Sequence, residues 1–154
     1  EDSTAELEQL GVRRVIVRTG VVLSQRGGAL PLMALPVKLL VGGPLGGGKQ
    51  YLPWIHLDDE VAAIRFLIEN STAKGAYNLS APQPLTNAEF TKVLGKVLGR
   101  PAFMPTPGFA MKLVLGEMSA LVLDGQRQMP KRLLAAGFKF KYSDAASALR
   151  AIYH

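Results

Sequence analysis

Apolar and polar residues fall along this chain in short blocks, and each block implies an element. Arg13-Arg14-Val15-Ile16-Val17-Arg18 is a β-branched run and reads as a strand. Residues 4–10 ahead of it read as the last turns of a helix that Gly11 stops. Gly20 ends or bends the strand, Val21-Val22-Leu23 follow, and Gly27-Gly28 form a loop. The pattern over 30–40 allows a helix that Pro36 would kink or divide. Gly42-Gly43-Pro44-Leu45-Gly46-Gly47-Gly48 must be loop. The mostly apolar stretch from Tyr51 to Leu57 leads into a clear helix, for which Asp58 is the expected N-cap and Asp59 and Glu60 complement the dipole. Leu57, Val61, Ile64 and Ile68 recur at helical spacing behind that cap. After a turn over 70–75, Ala76-Tyr77-Asn78-Leu79-Ser80 reads as a second strand. Strand, connection with helix, strand predicts a parallel pair with a right-handed crossover, each strand buried on both faces.

Pro82 and Pro84 mark a change of lobe. Thr86-Asn87-Ala88-Glu89 is a capping box, followed by the stripe Phe90, Val93, Leu94, Val97 and Leu98, with Gly99 and Pro101 as stops. Residues 101–107 hold three prolines and read as extended; 108–123 and 130–136 read as two short helices. Phe138-Lys139-Phe140-Lys141-Tyr142 alternates and reads as a short strand, and Ser143 is the expected cap of a last helix carrying Ala145, Ala148, Leu149 and Ile152. The fold class is therefore α/β, with no internal repeat or low-complexity tract.

A length of 154 residues suits one domain, or one large piece of a two-lobed protein. The absence of cysteine excludes a disulfide scaffold, a thiolate metal site and a cysteine nucleophile. The longest apolar stretch, Ala29 to Leu45, is interrupted by Lys38 and three prolines, so no membrane span is expected. Acidic residues stand where a signal peptide would be basic, which favours a cytoplasmic protein; the missing initiator Met suggests a cut or processed piece. The net charge of +6 is uneven: residues 1–73 carry seven basic and eight acidic side chains, residues 74–154 eleven and four. Such a basic half fits an anionic partner or a solvated face, and no ribonucleoprotein or zinc-finger pattern favours nucleic acid.

Candidate chemistry is sparse. Gly43 to Lys49 match the first seven positions of a phosphate-binding loop, but Gln50 stands where Ser or Thr should hold magnesium, and Pro53 opposes the helix that should follow. His56, Asp58 and Asp59 are too few for a metal site, and His154 ends the chain. Trp54 is a core residue or a pocket wall. There is no Gly-x-Ser-x-Gly, no Tyr-x-x-x-Lys and no glycine-rich dinucleotide fingerprint, so no complete catalytic set is present.

Three ordered stretches nevertheless carry a resemblance: Arg18-Thr19-Gly20-Val21-Val22-Leu23, Gln50-Tyr51-Leu52-Pro53-Trp54-Ile55-His56-Leu57-Asp58-Asp59, and Tyr77-Asn78-Leu79-Ser80-Ala81-Pro82. Together they resemble the second half of extended short-chain dehydrogenase/reductases, the NAD-dependent epimerase/dehydratase family. The tail, Leu123-Asp124-Gly125-Gln126-Arg127 with Pro130 and then Gly137-Phe138-Lys139-Phe140, resembles a subfamily with a C-terminal domain of unknown function. Some of its members carry a cell-division-inhibitor label.

The resemblance implies the last two parallel strands of a Rossmann-type sheet plus a small α+β substrate-binding lobe, with the nucleotide-binding half missing. Residues 1–25 and 53–82 would be the sheet remnant, and 26–52 and 83–154 the lobe. Arg18, Thr19, Gly20, Val21 and Val22 would lie beside the nicotinamide of NAD or NADP. The Gly27-Gly28 loop and the segment holding Gln50, Trp54 and His56 would line the substrate side. The parent would be an epimerase or oxidoreductase, the partners its missing half and a small-molecule substrate, and the fragment alone would be inactive and bind no cofactor. Sugar-nucleotide members usually place an arginine where Leu52 stands, which implies a less charged ligand here. The rival reading is a non-catalytic interaction module that uses the basic half. Truncation would also leave an unpaired strand edge at 13–18, through which the chain would form a homodimer or swap, or which its first residues would rearrange to cover.

Overall fold

The computed structural model describes residues 4, 6, 9–45, 47–102 and 125–154. In chain order its elements are β1 (Val15–Thr19), β2 (Val21–Leu23), α1 (Ala29–Lys38), β3 (Tyr51–Leu52), β4 (Trp54–His56), α2 (Leu57–Glu69), β5 (Gly75–Leu79), β6 (Leu85–Thr86), α3 (Asn87–Leu98), α4 (Lys131–Ala135) and α5 (Ala145–Tyr153). β1 pairs parallel with β5, Val15 opposite Gly75 and Thr19 opposite Leu79. At Gly20 the chain changes partner. The Gly20 N–H donates to the Leu79 carbonyl at 3.0 Å and the Val21 N–H to the Pro53 carbonyl at 2.6 Å. β2 then pairs parallel with β4, while β3 pairs antiparallel with β6.

The two strands around this switch divide the interior. Successive strand residues face opposite ways. Trp54 accordingly packs in one core with Leu23, Leu30, Leu52, Phe90, Leu94 and Leu149, and Ile55 in another with Leu67, Tyr77, Leu79, Leu133 and Phe138. α3 is built as its sequence implies. The Thr86 hydroxyl accepts from the Glu89 N–H, the Glu89 carboxylate accepts from the Thr86 N–H, and Gly99 closes the helix at φ 63°. Phe90 and Leu94 are fully buried.

Several expectations are corrected. α1 runs undivided through Pro36, because this proline sits in the last turn, where its missing N–H removes a single bond. The α2 cap is His56, not Asp58: the His56 Nδ1 accepts from the Asp58 N–H at 3.0 Å. The stripe Leu57, Val61, Ile64 and Ile68 is not the packing face. Val61 is 59% exposed and Ile68 67%, while Asp59, Glu60, Ala63 and Leu67 are buried. β1 is not buried on both faces, since Val17, Arg18 and Thr19 are exposed. Residues 138–142 form no strand. Phe138 packs edge-on to Phe66 and Phe140, and the N–H groups of Lys141 and Tyr142 donate to Asp59 instead of to a neighbouring strand. Asp144, not Ser143, caps α5 by accepting from the Ser147 N–H. The short strands β3, β4 and β6 lie in stretches read only as apolar or proline-marked. The helix expected at 108–123 and most of the extended run at 101–107 lie outside the described residues. Among the described residues no helix is long and apolar enough to cross a membrane.

Asp59 is the bracket between α2 and the tail: its Oδ1 accepts from Lys141 N–H at 2.8 Å and its Oδ2 from Tyr142 N–H at 2.9 Å. Asp59→Ala is expected to cost about 1–3 kcal/mol by leaving both donors unsatisfied. Urea unfolding measures this, with Asp58→Ala, which removes an exposed pair with Lys141 and a 3.9 Å approach to His56, as the milder comparison.

Candidate functional site

In open α/β sheets ligands gather at the carboxyl ends of the strands. Here those ends are Arg18-Thr19 of β1 and Leu79-Ser80 after β5. Residues 125–130 cross them. The Gln128 amide donates to the Arg18 carbonyl at 2.5 Å, the Ser80 hydroxyl to the Gln128 carbonyl at 3.3 Å and the Asn78 amide to the Met129 carbonyl at 3.1 Å. At the other end of the crossing Gly125 lies so close to the Tyr51 backbone that a Cβ there would overlap the Tyr51 carbonyl. The Arg127 guanidinium stands 5.7 Å over the Tyr51 ring.

The five residues Arg18 to Val22 sit together at this end, but in different roles. Arg18 is exposed, and its carbonyl receives Gln128. The Thr19 hydroxyl donates to Glu60 Oε1 at 2.8 Å. Gly20 is required by space, since a Cβ would stand 2.5 Å from the Pro53 carbonyl oxygen. Val21 is buried and Val22 half-buried in β2.

The three residues of the substrate-side segment separate. Trp54 is buried and its Nε1 donates to the Gln83 carbonyl at 3.2 Å. His56 is buried at the start of α2, its ring centroid 4.0 Å from that of Tyr142. Burial holds the imidazole below its ordinary pKa, with the charges of Asp58 and Asp59 opposing this. The neutral ring therefore keeps Nδ1 as the acceptor that caps α2. Gln50 turns away from both and donates from its amide to the Leu45 carbonyl at 3.0 Å. The glycine-rich run is followed by β3 rather than a helix, so it makes no phosphate loop. Leu52 is fully buried. No group of three or more His, Asp or Glu side chains placed to hold a metal occurs among the described residues.

Glu60 escapes the sequence pattern. It is 7% exposed, Thr19 occupies one oxygen, and Oε2 has no hydrogen-bond partner. Burial pushes its carboxyl above the ordinary range, and the Thr19 bond only partly offsets this. The one signal in the sequence was its place one turn before Ala63-Ile64, which puts it beside Leu67 on the helix wheel. The crossing residues Gln126 to Gln128 gave no periodic signal, and Gln126 and Arg127 entered the sequence reading only as part of the tail motif that carries the resemblance.

A match to the family described as Domain of unknown function (DUF1731) covers residues 106–152. The epimerase family protein YfhF of Bacillus subtilis (strain 168) is 44% identical over 149 residues, which span 97% of this chain and 49% of YfhF. The crystal structure of the human epimerase family protein SDR39U1 with NADPH superposes with a TM-score of 0.83 at 40% identity, covering 92% of this chain and 48% of that one. A nucleoside-diphosphate sugar epimerase from Corynebacterium glutamicum gives 0.74 at 33% identity over 98% of this chain and 29% of its own. The chain thus spans about half the length of the curated relatives it matches.

A folded-state pKa raised above the unfolded value stabilises below the unfolded pKa, and that stabilisation is lost as pH climbs through the folded pKa. Wild type should therefore lose stability relative to Glu60→Gln as pH rises from the ordinary carboxylate range upward. Urea midpoints of both proteins across a pH series test this, and parallel curves would contradict it. By sequence and by fold, this chain resembles about half of an epimerase family protein with a Rossmann-like α/β architecture.

Proposed function

We propose that this chain is the substrate-binding C-terminal portion of an NAD(P)-dependent epimerase- or reductase-like protein, completed by a nucleotide-binding half. The observation that carries the reading is the uncovered side of α2. Glu60 meets Thr19 on β1, and Asp59 on the other flank meets the 141–142 segment. At about 100° per residue, Ile64, Ile68 and Val61 lie past Glu60 on the side away from that segment. They extend the apolar face beyond β1, whose outer edge carries no strand among the described residues. Such a face suits one more parallel strand beside β1 and one more helix beside α2. The epimerase relatives of twice the length, one of them solved with NADPH, support the same reading.

A nicotinamide, when bound, would supply hydride transfer. This chain would give it a wall and no phosphate cradle. The Gly20 and Val21 N–H groups are already occupied by Leu79 and Pro53, and the Thr19 hydroxyl by Glu60. What remains at the strand end are the exposed parts of Arg18 and Thr19, with Gly20 packed behind them. Without its other half, the chain would cover the same edge by pairing with a second copy. A purely interactive role for the basic half has the exposed Lys92, Lys96 and Arg100 of α3 and its end in its favour.

Joined in solution by a nucleotide-binding half from an epimerase family relative, the chain should form a stable complex that binds NADPH, while the chain alone binds none. Val61→Asp and Ile64→Asp should weaken that association at least about tenfold, yet change the urea stability of the chain alone by only about 0.5 kcal/mol. Association indifferent to both substitutions, or no NADPH binding by the complex, would refute the reading.

A further inference from the structure

We infer that the end of α1 and the basic groove beside it form a docking surface for an anionic lipid bilayer. This goes beyond the enzyme reading and stands whether or not that reading holds. The first observation is the way α1 ends. The Leu40 N–H donates to the Val37 carbonyl at 3.1 Å and the Val41 N–H to the Pro36 carbonyl at 3.0 Å, the paired bonds of a Schellman closure. The exit residue of such a closure is left-handed and usually glycine; here it is Leu40, at φ 64°. No other non-glycine residue has a positive φ among the described residues. Its side chain returns no packing to the fold, since Leu39, Leu40 and Val41 are each half or more exposed, as is nearly half of Leu35 one turn before Leu39. A leucine kept in an unfavourable conformation and held out into water marks a binding surface.

The second observation is the charge around this apolar knuckle. Lys38 directly precedes it, with Nζ 5.1 Å from the Tyr153 ring centroid. Val41 is three residues from Pro44, at most about 11 Å of chain. Pro44 lines an open groove of about 570 Å³ together with Lys92, Lys96 and Arg100. Their spacing of four residues sets these cations along one side of α3 and its end. All three are exposed and pair with no carboxylate among the described residues. Glu89, the one acid of α3, is bound into the capping box. The apolar arc of α2 has no such setting, because its neighbour Arg65 pairs with Glu69 at 2.7 Å. A soluble anion would use the cations and leave the knuckle in water. A bilayer with acidic headgroups uses both, the apolar side chains entering the headgroup boundary and the cations lying on its charge.

The test is co-sedimentation of the whole chain with two kinds of vesicle at low salt, phosphatidylcholine alone and phosphatidylcholine mixed equally with phosphatidylglycerol. Wild type should bind the anionic vesicles, at least about tenfold more tightly than the neutral ones, and leave them as salt rises. Leu39→Asp should weaken that binding about tenfold or more, and Lys92→Gln combined with Lys96→Gln by a similar factor. Leu40→Gly should weaken it about threefold while its urea midpoint equals or exceeds that of wild type, because glycine suits the left-handed exit. Ile64→Asp on α2, and Lys131→Gln on α4, which packs on the other core, should bind as wild type does. No binding to the anionic vesicles, equal binding by wild type and Leu39→Asp, or loss of binding in Ile64→Asp would overturn the assignment. So would a lower urea midpoint for Leu40→Gly, since Leu40 would then be serving the fold.

Discussion

At Gly20 the backbone passes from one parallel partner to another, in a gap too narrow for any side chain. Its N–H is held by Leu79 and the next by Pro53. An added Cβ would press on the Pro53 carbonyl, so the two strands could not keep both bonds. From this crossing the rest follows in order. It sets β2 beside β4 with Val21 opposite Trp54 and Leu23 opposite His56. That register makes His56 the last strand residue and the first cap of α2. The cap in turn sets the rotational phase of the helix, which sends Asp59 and Glu60 inward and leaves Val61 and Ile64 outside.

Three consecutive acids then meet three environments. Asp58 is exposed, and the bond from Lys141 holds its carboxyl below the usual range. Asp59 is buried but accepts two backbone N–H groups, which is how a fold keeps a buried carboxylate inexpensive. Glu60 is buried with one hydroxyl donor and one oxygen without a partner, and its carboxyl is pushed up. The α2 N-terminus lowers the cost of all three. It does not supply the missing donor, because Glu60 already lies within the first turns and not ahead of them. An unsatisfied buried oxygen beside an apolar arc that no described residue covers is the feature on which the proposed second half rests.

Much of the architecture was legible because it is periodic or punctuated. The β-branched run at 15–19, the capping box at Thr86 and the stop at Gly99 each express a local rule, and each is kept. The family resemblance rests on ordered motifs, and relatives of epimerase type agree with it. What failed to show depends on tertiary phase. The stripe Leu57, Val61, Ile64, Ile68 has a helical period, but a period cannot say which neighbour is present to bury it. Asp58 obeys cap preference, yet a histidine one strand-end earlier already holds its N–H. The run 138–142 alternates like a strand, but no free edge is offered to it, and Asp59 captures its amides. Of the candidate site, Arg18 and Thr19 end β1 and Gly20 follows it. Gln50, Trp54 and His56 share one stretch of sequence but have separate partners, the last two buried.

The uneven charge of the chain shows why partners matter more than sums. The second half carries eleven basic and four acidic side chains, and a field of that size is often read as a surface for a polyanion. Part of it is locally answered. Arg132 binds carbonyls and lies 4.5 Å over the Tyr77 ring, and Lys141 pairs with Asp58. Charges held this way stabilise strand starts and helix ends and offer little to a ligand. Arg127 is exposed 5.7 Å over the Tyr51 ring and pairs with no carboxylate among the described residues. A sum of charges therefore does not by itself define a surface for a polyanion. A diffuse basic face of equal net charge could attract many anions and orient none.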